Sequence, residues 1–343
     1  MISSRRNFLR SGALACLGFP LISAFSGRNG QDNRHTIKPP ALKAGDTVAI
    51  SSPAGAVWDP KQAESFSAIL RNLGFRIRYG RTLVEHFGYL AGSDKLRADE
   101  LNSFFADKEV KAVFCMKGGW GCARLLDLLD YETISSNPKV IIGFSDITCL
   151  LVAIQARTGL VTYHGPVGNS GWNDYTTGYL KRILMNNEKV SFLPGPGDGD
   201  VPRTIRAGKA TGALIGGNLS VLSGMMGSDY LPSWKNKILF LEDTGEEPYR
   251  IDRMLTQLDL CGVLKQISGF VFGKCVKCNA EESEKAFTFN EVLDQHILPL
   301  QIPAFSGAMT GHIENKITLP LGILAGIDAA AGTITLLESA MKD

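Results

Sequence analysis

The run from Lys139 to Thr148, KVIIGFSDIT, constrains this chain more than any other stretch. A β-branched strand pattern, Val140 to Ile142, ends at Gly143-Phe144-Ser145, and a helical pattern, Asp146 to Ala156, begins at once. Ser145 is therefore expected where a strand's carboxyl end meets a helix's amino end. At that junction α/β proteins keep their chemistry, because the first N–H groups of the helix have no intrahelical partner and attract negative charge. The small Gly143 lets the turn be sharp. The spacing approaches the G-x-S-x-G nucleophile elbow, with Ile147 in place of the second Gly. The competing reading is that Ser145 or Asp146 simply caps the helix.

The surrounding sequence alternates in the same way. DTVAISS (Asp46–Ser52) reads as a strand. A helix follows from Asp59-Pro60 to Leu73, stopped by Gly74, with its Pro and Gly at the favoured ends. Phe75 to Tyr79 is a second strand, Asp94 to Phe105 a helix capped by Ser93, Val110 to Met116 a third strand, and Ala123 to Leu129 a helix. The Ser145 strand and helix come next, then Leu160 to Tyr163 leading into His164-Gly165-Pro166. Strand and helix in alternation predict a parallel sheet covered by helices. This places an N-terminal α/β domain at 43–190. LPGPGDGDV (Leu193–Val201) marks a linker, 191–209, and the mixed α and β pattern beyond it a second domain at 210–343.

The first residues read as an export signal. SRRNFLR (Ser4–Arg10) is followed by an apolar run from Gly12 to Phe25, with no acidic residue before Asp32, the pattern of a twin-arginine leader. The run is short of the ~20 residues that span a bilayer and contains Pro20. The expectation is a signal peptide at 1–26, a linker at 27–42, no lasting membrane span, and a mature protein in the periplasm or otherwise exported. With 36 Lys and Arg against 34 Asp and Glu, and Arg5, Arg6 and Arg10 inside the leader, no basic footprint for nucleic acid remains.

Of seven cysteines, all but Cys16 lie beyond the leader, and sequence cannot choose among their pairings. Cys275 and Cys278 form a lone C-x-x-C without a second ligand pair, so no zinc site is expected. Cys115 and Cys149, in apolar runs, read as buried free thiols. KGGWG (Lys117–Gly121) follows a strand and precedes a helix, so its backbone can cradle an anion or simply turn tightly. It lacks the order of a nucleotide fingerprint.

A serine nucleophile requires a base, since a neutral hydroxyl is weak until a neighbour takes its proton. Of five histidines, His35 adjoins the leader, His86 sits in a loop, and His296 is expected to face solvent from a helix. His164 and His312 remain, each beside a Gly after an apolar segment, and spacing does not separate them. A carboxylate should orient the imidazole. KILFLED (Lys237–Asp243) puts Glu242 and Asp243 at the end of an apolar strand, and Glu242 is the preferred candidate over the neighbouring Glu246, Glu247 and Asp252.

GGWGCARLLDLLDY (Gly118–Tyr131), NPKVIIGFSDIT (Asn137–Thr148) and GLVTYHGP (Gly159–Pro166) together resemble the LD-carboxypeptidases, a serine peptidase family that includes murein tetrapeptide carboxypeptidases and microcin C self-immunity peptidases. So do GGNLSVL (Gly216–Leu222), LEDTGEEPYRIDRML (Leu241–Leu255) and GHIENKITLPLG (Gly311–Gly322). The resemblance implies a Rossmann-like N-terminal domain, a smaller β-rich mixed C-terminal domain, and an active site between them. It implies Ser145 as nucleophile, Glu242 as orienting acid and His312 as general base, with backbone N–H groups of Gly119 and Asp146 as the oxyanion hole. His164, Lys117 and Trp120 become substrate-pocket candidates, Lys117 standing where relatives commonly carry Arg. It implies no cofactor, a murein-derived peptide as partner, and a homodimer. The expected activity removes a terminal D-Ala from the L-centre, diaminopimelate or Lys, of a murein tetrapeptide. Two alternatives are cleavage of a peptidyl nucleotide antibiotic, with Trp120 or Trp172 stacking on the base, and a non-catalytic solute-binding protein.

Overall fold

The computed structural model describes residues 35–342; the signal peptide expected at 1–26 and the first part of the linker lie outside them. In chain order the elements are β1 (Thr47–Ser51), α1 (Pro60–Asn72), β2 (Arg76–Tyr79), α2 (Asp94–Ala106), β3 (Val110–Cys115), α3 (Tyr131–Ser136), β4 (Val140–Gly143), α4 (Thr148–Thr158), β5 (Thr162–His164) and α5 (Asp174–Leu184). Then come β6 (Ser191–Phe192), β7 (Arg203–Arg206), β8 (Lys209–Asn218), α6 (Leu219–Met225), β9 (Ile238–Thr244), α7 (Pro248–Leu260) and β10 (Gly269–Val276). The chain ends with α8 (Phe289–Ile297), β11 (Ala304–Ala308), β12 (Leu319–Leu321), β13 (Leu324–Asp328) and β14 (Thr333–Leu336).

The first sheet runs β2-β1-β3-β4-β5 in parallel, with β12 added antiparallel beside β5. In an open parallel sheet of this order the crevice lies outside the carboxyl ends, where β1 has a neighbour on either side. The turns after β1 and β3 flank that point, and Gly55 N–H donates to Gly118 O across it (3.2 Å). Buried on both faces, the strands read as unbroken apolar runs: every residue of β4 is buried. The caps fall as expected, with Asp59 accepting from Lys61 N and Ser93 from Leu96 N.

The second sheet has the order β6-β14-β13-β8-β9-β10-β11-β7, parallel from β8 to β11 and antiparallel outside. One cluster of buried apolar side chains joins both sheets. The fold is thus α/β, a parallel sheet followed by a mixed one.

Several elements differ from the sequence expectation. β12 comes from the C-terminal half yet completes the first sheet, pairing Leu319 with His164, so the chain does not divide by sequence alone. The linker expected at 191–209 contains β6 and β7, both edge strands of the second sheet. Residues of the first linker also join the fold: Ile37 N donates to Gly159 O and Leu42 N to Leu184 O. The helix expected at Ala123–Leu129 is a 3-10 helix, Cys122–Leu128. His296 is tied to Asp252 (2.7 Å) rather than left to solvent. Cys275 and Cys278 form a disulfide, while Cys115, Cys122 and Cys149 are buried thiols and Cys261 is exposed. Among the described residues no helix is long and apolar enough to cross a membrane, and no three His, Cys, Asp or Glu side chains are grouped to hold a metal.

Candidate active site

Ser145 has φ of 63°, left-handed backbone that a serine rarely adopts, at the first position of a 3-10 turn leading into α4. Such strain is retained where the surroundings over-determine it. A Cβ on Gly118 would lie 2.8 Å from Ser145 Cβ and 2.9 Å from its Oγ, so only glycine lets the loop after β3 pass this close. Gly119 itself has φ of 117°.

The glycine loop is fixed from behind. Asp146 Oδ2 accepts from Cys122 N–H (2.8 Å), and burial raises the Asp146 pKa. The fully buried guanidinium of Arg97 donates to Pro53 O, Gly121 O and Gly92 O, and pairs with Asp94. One cation thereby holds the turns after β1, β2 and β3 in a common register. Lys117 Nζ donates to Ala56 O (3.2 Å), and Trp120 is 53% exposed on the same loop.

Glu242, fully buried on β9, accepts through Oε2 from His312 Nδ1 (2.9 Å). A carboxylate can only accept, so Nδ1 carries a proton, and in the neutral ring that leaves the lone pair on Nε2. Gly311 makes the approach possible, since a Cβ there would sit 2.8 Å from Glu242 Oε2. The His312 ring meets the Phe144 ring edge to face at 4.8 Å between centroids, which puts the imidazole beside the residue preceding Ser145. Among the described residues no hydrogen bond joins Ser145 Oγ to the imidazole; such contacts commonly tighten only when substrate is bound.

Residues 48–165, which contain Ser145, match the family model described as the LD-carboxypeptidase N-terminal domain, and residues 211–327, which contain Glu242 and His312, match the LD-carboxypeptidase C-terminal domain. The chain belongs to the LD-carboxypeptidase family. It is 37% identical over 305 residues to a probable murein peptide carboxypeptidase of Bacillus subtilis, covering 87% of this chain and 94% of that one. With the murein tetrapeptide carboxypeptidase of Pseudomonas aeruginosa it shares 31% over 293 residues, covering 82% and 92%. A solved structure of the microcin C7 self-immunity protein superposes with a TM-score of 0.81 at 28% identity, covering 89% of this chain and all of that one.

Within this LD-carboxypeptidase fold the two histidines left open by spacing part company. His312 is the one on a carboxylate. His164 is 2% exposed, wedged edge-on between Phe144 and Phe240, with neither ring nitrogen bonded, and burial lowers its pKa to about 4. It lies behind Phe144 instead of lining an open pocket. Trp172 is also held, its Nε1 on Val167 O and its ring against Phe66.

Sequence reasoning missed the groups that tie the halves together. Asn218 N donates to Thr148 Oγ1 on α4, and its side chain donates to Asp243 Oδ1, whose Oδ2 accepts from Ser220 N. Helix α5 was missed as well, and it grips the His312 loop: Asn173 Nδ2 donates to Asn315 Oδ1, Thr176 Oγ1 donates to Glu314 O, and Lys316 N donates to Thr176 Oγ1. The loop closes on itself through Ile317 N to Met309 O (2.8 Å). Asn or Ser before a helical run signals such a cap, but nothing local says which loop it will hold.

Proposed function

We propose that this peptidase is a serine LD-carboxypeptidase that releases the terminal D-Ala of a murein tetrapeptide from its L-centre, diaminopimelate or Lys. Ser145 Oγ attacks the carbonyl carbon while His312 Nε2 takes its proton, and Glu242 steadies the imidazolium. The N–H groups of Gly119 and Asp146 receive the oxyanion. Collapse breaks the C–N bond, the His312 proton passes to the leaving amine, and D-Ala departs. Water, deprotonated by His312, then hydrolyses the ester on Ser145.

The observation that supports this most is the pairing of a strained serine at the end of β4 with a histidine hydrogen-bonded to a buried carboxylate. The names of the relatives support murein peptides as the substrate class. Mass spectrometry of a purified tetrapeptide tests the reading. The protein should remove one alanine and Ser145→Ala should not; an unchanged peptide with both would overturn it. In that event a peptidyl nucleotide is the next substrate, favoured by the likeness to the self-immunity protein and by the exposed Trp120. The reading includes export by the twin-arginine route and a homodimer, checked by fractionation of cells and by sedimentation of the purified protein.

A further inference from the structure

Lys316 is 4% exposed, and among the described residues no carboxylate lies within ion-pair distance of it. Its Nζ stands 4.8 Å from the centroid of the Phe144 ring, whose other neighbours are His312 and His164. Buried cations are rare because desolvation opposes the charge, and a ring face returns only part of what water gave. Burial accordingly lowers the Lys316 pKa to about 8, while attraction to Glu242 works the other way. Glu242 is fully buried too, and its Oε1 has no hydrogen-bond partner. The ammonium and the carboxyl group are therefore both buried here without forming an ion pair.

Resting on the triad reading above, we propose that Lys316 is a positioning residue: its ammonium, held over Phe144, balances the buried charge of Glu242 and so keeps His312 neutral and ready to accept the serine proton. With Lys316 charged, Glu242 ionised and His312 neutral, the site carries no net charge. It stays so when an oxyanion and an imidazolium form together. Without the ammonium the resting site is negative, which favours the imidazolium too early and repels the oxyanion. The other groups around this pair are His164 from β5, kept neutral by burial, and Asp243 beside Glu242 on β9, which is turned to Asn218 and Ser220. At the start of α5, Thr176 and the cap residue Asn173 bond to the loop that carries Lys316, and neither titrates.

A fluorophosphonate probe tests this without any peptide. Ser145 Oγ forms the bond to phosphorus, fluoride leaves, and His312 takes the proton, so the labelling rate against pH reports the base directly. Lys316→Met should move the acid limb upward by about one pH unit and slow the plateau about tenfold. Lys316→Arg should keep the acid limb and lose the fall in rate that neutralisation of Lys316 imposes on the wild type above about pH 8. The Arg profile carries the test alone if the Met variant does not fold. Limbs that stay where they were in both variants would overturn the proposal. So would a Met variant labelled normally but with a raised KM for the tetrapeptide, which would make Lys316 an anchor for the substrate's carboxylate. Failure of the wild type to cleave the tetrapeptide while still labelling at Ser145 would sink the substrate and leave Lys316 standing; no labelling at all would overturn both.

Discussion

Asp146 accepts a hydrogen bond from the Cys122 N–H at 2.8 Å, and this bond joins the turn that holds Ser145 to the loop that holds Gly119. The two proposed oxyanion donors lie on separate strands' ends, yet the side chain of one fixes the backbone leading from the other. Removing the acceptor leaves a buried N–H unpaired, at about 1–3 kcal/mol. Asp146→Ala should lower the midpoint of urea unfolding accordingly and slow fluorophosphonate labelling by at least tenfold. Asp146→Asn, which retains an acceptor oxygen, should lose less on both counts. Equal losses in the two variants would mean that the charge, not the hydrogen bond, matters.

Ser145 stands at φ of 63°. An L-residue there is strained by roughly 1–2 kcal/mol, whereas glycine is not, although glycine also loses more chain entropy on folding. Ser145→Gly should therefore unfold at higher urea than Ser145→Ala, with both inactive. If Ala is the more stable, the backbone strain is illusory.

Gly118 makes a test that separates approach from conformation, because its own φ is not in the left-handed region. A methyl group there would meet Ser145 Cβ at 2.8 Å. Gly118→Ala should fold, at a loss of about 1–3 kcal/mol, and displace the loop from the serine. A misplacement near 1 Å lowers the rate by about 10²-fold. Unimpaired labelling of this variant would show that the loop is not held against Ser145.

Much of this was legible in local sequence because local physics decides it. Val140 to Ile142 are β-branched and apolar, Gly143 permits the turn, and the Ser145 junction follows; the caps at Asp59 and Ser93 were likewise readable and are observed. Helix α5 was not, since Thr176, Thr177 and Gly178 lower its helix propensity and its stability comes from burying Leu180, Ile183 and Leu184. Nor could spacing separate His164 from His312, because the difference is a carboxylate seventy positions away on β9. β12 in the first sheet and Lys316 over Phe144 depend on how the last third of the chain returns to the first sheet. Such long-range pairings leave no periodic trace.

Asp243 carries a prediction about pH. It is 2% exposed, and burial raises its pKa from 3.8 to about 6, aided by neighbouring Glu242 and opposed by hydrogen bonds from Thr244, Ser220 and Asn218. Between those two values the folded protein keeps a proton that the unfolded chain has released. Stability contributed by this group therefore falls as pH rises from about 4 to about 6, by on the order of 1.4 kcal/mol per pH unit, and the loss is complete above that window. Asp243→Asn removes the titrating proton, and the slope of unfolding free energy against pH should become more positive by about that amount between pH 4 and 6. The same substitution leaves Ser220 N or Thr244 N without its acceptor, so at pH 7 the gain from discarding a buried charge is offset by a lost hydrogen bond. Urea titrations of both proteins at half-unit pH intervals would decide it. Parallel curves would place the Asp243 proton on the solvent's side of the fold, and the Asn218 bridge between β9 and α4 would then be held by an ionised carboxylate throughout.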